Sequence, residues 1–214
     1  MSITPEGGLY IPFEGSDGTG KSTQVKIAAD RLRREGYDVV TTFEPGATAV
    51  GLTMRQILLS PETGDLSPET EVALFTASRA DLSDKVIMPA LTKNEIVLSD
   101  RNWYSSWAYQ GATNSLMGDR IESITRLLLP KRYYIPDTTL YFELSEEERA
   151  TRLASSSLAA DRIEQRDREY FDTVSERYSE LPKRFGATAI MCDGSIDEVA
   201  ERVWAAITAA TATL

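Results

Sequence analysis

Short apolar runs alternate with longer amphipathic segments along the chain. The apolar runs have the length and the β-branched and aromatic content of buried strands. Five such runs lie at Leu9–Phe13, Val39–Phe43, Ile96–Ser99, Thr139–Leu144 and Ala187–Met191. Consecutive runs are far enough apart for the crossover connections that parallel strands require. The pattern therefore predicts a parallel five-stranded sheet.

Apolar residues recur with helical spacing between these strands. The predicted helices are Ser22–Gly36, Val50–Leu59, Pro68–Leu91, Met117–Leu128, Glu146–Leu153, Arg166–Arg184 and Ile196–Ala210. Helices that alternate with strands cover both faces of a parallel sheet, so the pattern predicts an α/β fold. Pro12 departs from this scheme, because it lies in a predicted strand and has no N–H to donate to a neighbouring strand.

Length and composition favour one globular domain that spans residues 1–214. The content of 42% hydrophobic and 26% charged residues is ordinary for a soluble protein. No apolar run approaches the ~20 residues that cross a bilayer. Residues 1–8 carry neither the basic residues nor the apolar segment of a signal peptide. We therefore expect a cytoplasmic protein with no membrane partner.

Charge and residue usage exclude several classes of function. The chain has 23 Lys and Arg against 33 Asp and Glu, a net charge of −10, so we expect no nucleic-acid partner. Any phosphate ligand then needs a local group of cations. The chain has no histidine, which excludes Ser-His-Asp and Cys-His catalysis and histidine-ligated zinc. Its single cysteine, Cys192, cannot form an intrachain disulfide, which fits a reducing compartment.

A glycine-rich motif follows the first predicted strand. Residues 15–22 match G-x-x-x-x-G-K-[ST], between an apolar run and an amphipathic helix. In such a loop the backbone N–H groups point at phosphates, and the N-terminus of the next helix adds positive potential. A simple glycine-rich turn would not need that strand-loop-helix context. The predicted ATP-binding residues are Gly15, Ser16, Asp17, Gly18, Thr19, Gly20, Lys21, Ser22 and Thr23.

The third predicted strand ends in a carboxylate, Asp100. A buried strand that ends in an acid resembles a Walker B element, in which aspartate helps to hold Mg²⁺. A turn-capping aspartate is the plain alternative, but the phosphate loop favours a metal role. We therefore predict that Mg²⁺ accompanies ATP and that Ser22 and Asp100 are its protein ligands.

Four further segments carry a family resemblance. They are Glu-Pro-Gly-Ala-Thr at 44–48, Leu-Phe-Thr-Ala-Ser-Arg at 74–79, the segment from Asp-Arg to Tyr-Gln-Gly at 100–111, and Asp-Arg-Ile-Glu at 161–164. In order and spacing they resemble the thymidylate kinases, which transfer the γ-phosphate of ATP to dTMP. The resemblance implies a P-loop NTPase fold with strand order 2-3-1-4-5, a helical lid near 145–166, and a homodimer.

The resemblance also implies roles for individual residues. Phe75 would stack on thymine and Arg79 would bind its O4, although spacing alone favours a core residue and a surface charge. Arg55 and Arg101 would bind the acceptor phosphate, and the ring of Tyr109 would exclude a 2′-hydroxyl. The other implied acceptor contacts are Asp17, Glu44, Pro45, Ser106 and Gln110.

The predicted lid departs from the family pattern. Gly18 stands where some members carry a loop arginine, and members without it usually supply an arginine from the lid. Residues 155–160 contain no arginine. Among Arg149, Arg152, Arg162 and Arg166, we predict that Arg162 reaches the transferring phosphate; the alternative is that Arg162 only pins the lid. The predicted catalytic residues are Lys21, Glu44, Arg101 and Arg162.

Two alternative functions stay open at this point. Trp103 and Trp107 are unusual neighbours for the base site, which allows a kinase for another deoxynucleoside monophosphate, such as a 5-substituted dUMP. The arginine-free lid segment allows a nucleotide-binding protein whose catalysis has decayed. The intact residues of the phosphate loop and of the Asp100–Arg101 pair favour the kinase.

Overall fold

The sheet has the predicted composition and order. The computed structural model describes residues 7–114, 116–154 and 161–212. Its five strands pair in parallel in the order β2-β3-β1-β4-β5, which confirms the predicted α/β class and topology. The strands are β1 (Leu9–Glu14), β2 (Val39–Phe43), β3 (Ile96–Asp100), β4 (Leu140–Glu143) and β5 (Thr188–Met191).

Helices cover both faces of this sheet. They are α1 (Lys21–Arg34), α2 (Ala49–Leu59), α3 (Pro68–Leu82), α4 (Met88–Thr92), α5 (Trp103–Tyr109), α6 (Met117–Leu128), α7 (Lys131–Tyr134), α8 (Glu146–Ala154), α9 (Arg168–Ser179), α10 (Leu181–Phe185) and α11 (Ile196–Ala212). Within the described ranges no helix is long and apolar enough to span a membrane.

Successive residues of β1 point to opposite faces and so build two cores. Leu9, Ile11 and Phe13 pack with α1 and α11, whereas Tyr10 packs with the side chains of α3 to α7 and α9. This double burial explains why the strands read as continuous apolar runs rather than as alternating ones. The two cores hold the central strands rigidly, and the carboxyl ends of β1 and β3 carry the motifs.

Pro12 fits the sheet because of where β4 begins. The amide and carbonyl of Tyr10 bond to Asp137, so the even-numbered residues of β1 face the β4 side. Pairing of β1 with β4 starts only at Phe13 and Glu14. Pro12 therefore occupies the interval before a partner strand is present, and its missing N–H leaves no gap in the ladder.

Two of the predicted helices are interrupted at proline. The predicted helix Pro68–Leu91 is in fact α3, a π-helical turn at Ser83–Ile87, and α4. The predicted helix Arg166–Arg184 is divided into α9 and α10. Pro89 lies in the first turn of α4 and Pro182 in the first turn of α10. Because proline has no N–H and its ring clashes with the preceding turn, each forces the helix to readjust.

The pattern did not predict helix α5. All seven of its residues are buried, so it has no polar face and no helical periodicity to recognise. Since α5 carries Ser106 and Tyr109, this helix positions part of the candidate site.

Candidate active site

The phosphate loop connects β1 to α1 over residues 15–20. Gly15 has φ 144°, and a Cβ there would lie 2.6 Å from the carbonyl oxygen of Phe142. Gly18 and Gly20 have φ of 86° and 91°, which side chains disfavour. The loop therefore needs glycine at these positions, for space at Gly15 and for conformation at the other two.

Lys21 is a buried cation at the start of α1. Its Nζ donates to the carbonyl oxygen of Ser16 at 2.8 Å, which ties the side chain across the loop. Burial and the nearby Arg101 lower the pKa of Lys21 to about 8, although Asp17 and other carboxylates oppose the shift. Because the pKa of Lys21 is lowered, an anionic phosphate beside the ammonium group would stabilise its charged form.

Ser22 and Asp100 meet at the mouth of the loop, although 78 residues separate them in sequence. The Ser22 hydroxyl donates directly to Oδ2 of Asp100. Both are oxygen donors of the kind that Mg²⁺ prefers. Within the part of the chain that the structure describes, no group of three or more carboxylate or thiol side chains could hold a metal alone. The pair therefore fits a cation that takes its other ligands from phosphate and water.

A cavity of about 1380 Å³ opens beside the loop, at the carboxyl ends of β1, β2 and β3. Its walls include all ten predicted acceptor residues: Asp17, Glu44, Pro45, Arg55, Phe75, Arg79, Arg101, Ser106, Tyr109 and Gln110. A second cavity of about 760 Å³ is lined by loop residues Gly18, Gly20, Lys21, Ser22 and Thr23, and by Asp100. Both cavities share Asp17, Gly18, Glu44, Arg55, Arg101 and Arg152 as walls. Two ligands bound there would meet at this common wall.

Arg101 and Asp17 form the charged part of the common wall. Nη2 of Arg101 lies 2.6 Å from Oδ1 of Asp17, and the Tyr109 hydroxyl donates to Oδ2 at 3.0 Å. Burial alone would raise the pKa of Asp17, but Arg101 and Lys21 outweigh burial and hold it well below its usual range. Asp17 therefore stays ionised and fixes one edge of the guanidinium.

Arg79 forms the buried polar end of the larger cavity. Its Nε pairs with Oε2 of Glu44 at 2.8 Å, and its Nη1 donates to the Ser106 hydroxyl at 2.8 Å. The guanidinium carbon lies 5.3 Å from the ring centre of Phe75. Burial raises the pKa of Glu44, while Arg79 and a hydrogen bond from Tyr133 favour its charged form. An aromatic face and a fixed donor group thus lie side by side.

The loop after β2 turns sharply at Pro45. The Glu44–Pro45 peptide is cis, and Nη1 of Arg55 donates to the carbonyl oxygen of Pro45 at 3.1 Å. Ala47 has φ 61°, in the left-handed region that favours glycine. The loop therefore holds a residue with a side chain in a conformation that glycine adopts more readily.

Arg162 lies away from the phosphate loop. Its backbone N–H and Nε donate to the carbonyl oxygens of Leu59 and Leu58, at 3.0 and 2.8 Å. Nη1 lies 2.8 Å from Oε1 of Glu71, which is fully buried and also binds Arg166 at 2.6 Å. Arg162 lines neither cavity, so in this conformation it pins the segment that follows α8 to α2 and α3. The pairing with Glu71 could not be predicted from the sequence, because no local pattern links residues so far apart.

Other lid arginines line the larger cavity. Arg149 and Arg152 lie on α8, and Arg152 reaches the common wall. Nη2 of Arg152 donates to the carbonyl oxygen of Cys192 at 2.9 Å. Residues 155–160, where the arginine-free segment was noted, lie outside the described residues. Helix α8 thus brings two guanidinium groups to the wall of the larger cavity.

Gln110 and the two tryptophans differ from their expected surroundings. The Gln110 amide nitrogen donates to Oε2 of Glu71 at 3.0 Å, so its donor is used inside the protein. Trp103 and Trp107 are buried and line neither cavity. Their rings pack on Phe185 at 5.3 and 5.2 Å between centres. The two tryptophans that allowed another acceptor nucleotide therefore belong to the core and not to the cavity walls.

Comparison with known proteins gives consistent matches. The sequence profile described as thymidylate kinase matches residues 13–203. The chain is 39% identical over 187 residues to the thymidylate kinase of Caldanaerobacter subterraneus subsp. tengcongensis, covering 87% of this chain and 88% of the relative. It is 36% identical over 208 residues to that of Nitrosomonas eutropha, covering 93% and 95%. The crystal structure of thymidylate kinase from Ehrlichia chaffeensis superposes with a TM-score of 0.76 at 26% identity, covering 94% and 98%.

Proposed function

Because this chain belongs to the thymidylate kinase family, we propose that its larger cavity binds dTMP and that its phosphate loop binds ATP. The enzyme phosphorylates dTMP to dTDP. One observation carries the assignment of the sites: ten residues, brought from five separate segments, line one cavity that opens onto the phosphate loop. A chance collection of polar residues would not be expected to converge on a loop of this kind.

The acceptor lies with its base at Arg79 and its phosphate at Arg101. The base stacks on Phe75, and the guanidinium of Arg79 donates to the O4 of thymine, which the amino group of cytosine could not accept. Tyr109 packs against the sugar. Arg55 and Arg101 bind the phosphate, since a planar guanidinium suits two phosphate oxygens.

The donor lies on the other side of the common wall. The backbone N–H groups of the loop and Lys21 hold the ATP phosphates, and the hydroxyl of Ser22 and the carboxylate of Asp100 hold Mg²⁺. When bound, Mg²⁺ neutralises charge on the phosphates. Glu44 lies on the common wall, where it would face the acceptor phosphate and the metal, with its carboxylate oriented by Arg79 and Tyr133.

Transfer needs no histidine and no general base. The attacking atom is an oxygen of the dTMP phosphate, which is already an anion at neutral pH. Two anions must be brought into line, so the protein supplies cations and alignment rather than proton transfer. The lid at about 145–166 closes over the site and keeps water from attacking ATP.

Arg152 is the lid cation that we assign to the transferring phosphate, with Arg149 beside it. Arg152 lines both cavities, whereas Arg162 lines neither. An arginine at this point stabilises the charge that spreads over the equatorial oxygens in the transition state. In this proposal Arg152 takes the role that was predicted from the sequence for Arg162, and Arg162 pins the lid, which was the alternative.

The enzyme also works as a homodimer in the cytoplasm. Large apolar side chains are exposed on α2 and α6, which flank α3: Val50, Leu52, Ile57, Leu127 and Leu128. Burying such a surface against a second copy would remove it from water.

A panel of nucleoside monophosphates tests the proposed function. With MgATP as donor, ADP release should show the highest kcat/KM for dTMP, and dUMP should come second. The values for dCMP and for the ribose analogue of dTMP should be far lower. A different preferred acceptor would reject the proposed base site. Turnover that does not require an acceptor would reject the kinase assignment itself.

A further inference from the structure

Glu14, the last residue of β1, is a fully buried carboxylate that no motif accounts for. Its Oε1 accepts the backbone N–H groups of Asn102 and Ser105 at 2.6 and 3.1 Å, which caps the N-terminus of α5. Its Oε2 accepts the hydroxyl of Ser105 at 2.7 Å and that of Tyr178 at 3.2 Å. Burial raises the pKa of Glu14, but Arg101 and hydrogen bonds from Ser105 and Asn102 favour the charged form. Each of the four contacts can be a donor, as an ionised carboxylate requires.

The same two hydroxyl groups face Arg101. Nη1 of Arg101 donates to the Ser105 oxygen and to the Tyr178 oxygen, each at 2.9 Å, and to the carbonyl oxygen of Gly15 at 3.1 Å. A hydroxyl has one proton. Ser105 donates its proton to Glu14, and the proton of Tyr178 goes to Glu14 or to the Ser105 oxygen, which lies 2.9 Å from the Tyr178 oxygen. In either arrangement both hydroxyl oxygens keep lone pairs for the guanidinium.

Arg101 needs this external support because its backbone is strained. Its φ is 77°, in the left-handed region that a long side chain rarely adopts. Asp17 holds the opposite nitrogen, Nη2, at 2.6 Å. The guanidinium is therefore held at both terminal nitrogens. The partners of Nη1 are buried, whereas Asp17, the partner of Nη2, lines the cavity.

Tyr178 brings this support from a distant part of the chain. It lies on α9, after the lid, 77 residues from Arg101. Its ring is fully buried, stacks on Tyr141 with 7° between the planes, and meets the edge of Tyr109. A ring clamped between two others can hold its hydroxyl at a fixed point.

We propose that Tyr178, together with Ser105 and Glu14, positions Arg101 for the acceptor phosphate. Tyr178 is a positioning residue, because it acts through the guanidinium and does not line either cavity. The proposal rests on the proposed role of Arg101 at the acceptor phosphate. It also means that α9, outside every recognised motif, contributes to the acceptor site.

The test is a double-mutant cycle with Tyr178→Phe and Arg101→Ala. Tyr178→Phe keeps the ring and removes only the hydroxyl. We expect kcat/KM for dTMP to fall about tenfold, the scale of one hydrogen bond to a charged group, while KM for ATP stays within about twofold. In the Arg101→Ala background, removal of the same hydroxyl should change kcat/KM for dTMP less than about twofold.

Tyr104→Phe is the matched control. Tyr104 is also buried and its ring packs on Trp103 and Phe185, but its hydroxyl is not among the groups that Arg101 bonds to. It should leave both kinetic constants unchanged. If Tyr178→Phe does not fold, as a thermal melt would show, Ser105→Ala in the same cycle removes the other hydroxyl that faces Arg101.

The outcomes separate the two levels of the proposal. If Arg101→Ala leaves kcat/KM for dTMP unchanged, the proposed role of Arg101 fails. If Arg101→Ala lowers it but Tyr178→Phe does not, or if the two effects multiply, the positioning role is wrong. Equal losses for dTMP and ATP would also overturn it, because they would indicate a general structural effect.

Discussion

At the residue scale, each charged side chain named in the site lies near a side chain of opposite charge. Lys21 and Arg101 share Asp17, and Arg79 is paired with Glu44 at the far end of the cavity. Such pairs cost desolvation and contribute little net stability, so their value lies in orientation. When one member of such a pair is substituted, the effect depends on whether the other charge stays buried without a counter-ion.

Binding of nucleotide should take up a proton above about pH 8. The pKa of Lys21 is lowered to about 8 by burial and by Arg101, so the free loop loses this proton as the pH rises through that value. A bound phosphate restores the charged form, and the affinity for MgADP should therefore fall as the pH rises further. Calorimetry in buffers of different ionisation enthalpy should detect almost no uptake at pH 7 and close to one proton at pH 9.

The lowered pKa of Lys21 also makes the free energy of unfolding depend on pH. Between about pH 8 and 10.4 the unfolded lysine binds the proton that the folded one has lost, so this group makes the free energy of unfolding rise with pH.

Binding of dTMP, which does not contact Lys21, is the control for the calorimetry. Uptake of the same size with dTMP would assign the proton to another group.

Arg79→Lys should damage acceptor binding selectively. The lysine keeps a cation for the buried Glu44 but loses the planar fork that also reaches Ser106. We expect KM for dTMP to rise about tenfold or more, KM for ATP to stay within about twofold, and discrimination against dCMP to fall. Equal changes for both substrates would instead indicate a structural arginine.

Two variants complete the Arg79 experiment. Arg126→Lys, on the exposed face of α6, should be silent in every measurement. Arg79→Ala leaves Glu44 buried without its cation and should lower the free energy of unfolding by about 3–5 kcal/mol. Its thermal melt therefore has to accompany its kinetics.

At the element scale, buried polar contacts connect helices that share no local pattern. Glu14 caps α5 from the end of β1, and Glu71 of α3 receives Arg162 and Arg166 from the segment after the lid helix. Each contact is worth more inside the protein than at the surface, because an unpaired partner would be left buried. These contacts decide how the site elements lie relative to the sheet.

Arg162→Ala and Arg152→Ala should fail in different ways. Arg162 holds the segment after the lid to Glu71 and the end of α2, so its loss should raise KM for both substrates and increase ADP release without dTMP, with kcat within a few-fold. Arg152 reaches the common wall, and its loss should lower kcat by about 10²-fold or more. The reverse pattern in steady-state kinetics would return the transition-state role to Arg162.

At the scale of the whole molecule, the sheet lies between two helical layers, and the candidate site opens at the carboxyl ends of its strands. The carboxyl ends of β1, β2 and β3 carry Asp17, Glu44 and Arg101 in the loops that follow, as expected at a switch point of an open parallel sheet. The exposed apolar side chains lie instead on the outer helices. The proposed sites of catalysis and of dimer formation thus use different residues.

Leu127→Glu should prevent dimer formation. Leu127 is 80% exposed on α6, and a charge there would be buried without a partner in a dimer interface. Light scattering after size exclusion should give the mass of a dimer for the wild type and of about one chain for the variant. Met191→Glu, on the edge strand β5 and 51% exposed, is the control and should keep the wild-type mass. A monomeric wild type would reject the homodimer.

Much of the fold could be predicted because strands and amphipathic helices are local patterns. The predicted ends of the five strands agree with the structure to within a residue or two, and helix Met117–Leu128 has the predicted bounds. The acceptor residues could be expected to converge, because the loops after parallel strands meet at one edge of the sheet. The wholly buried α5 and the π turn before Pro89 were missed, since neither leaves a simple period in the sequence.

The sequence by itself determined the strand pattern, the phosphate loop and the residue types of the site, since these depend on neighbours along the chain. Only the tertiary structure decided which side chains meet. Arg162 pairs with Glu71, and Tyr178 bonds to Arg101, because pairing across 91 and 77 residues depends on how helices pack on the sheet. Buried charges take the partner that packing supplies, and no spacing along the chain encodes that choice.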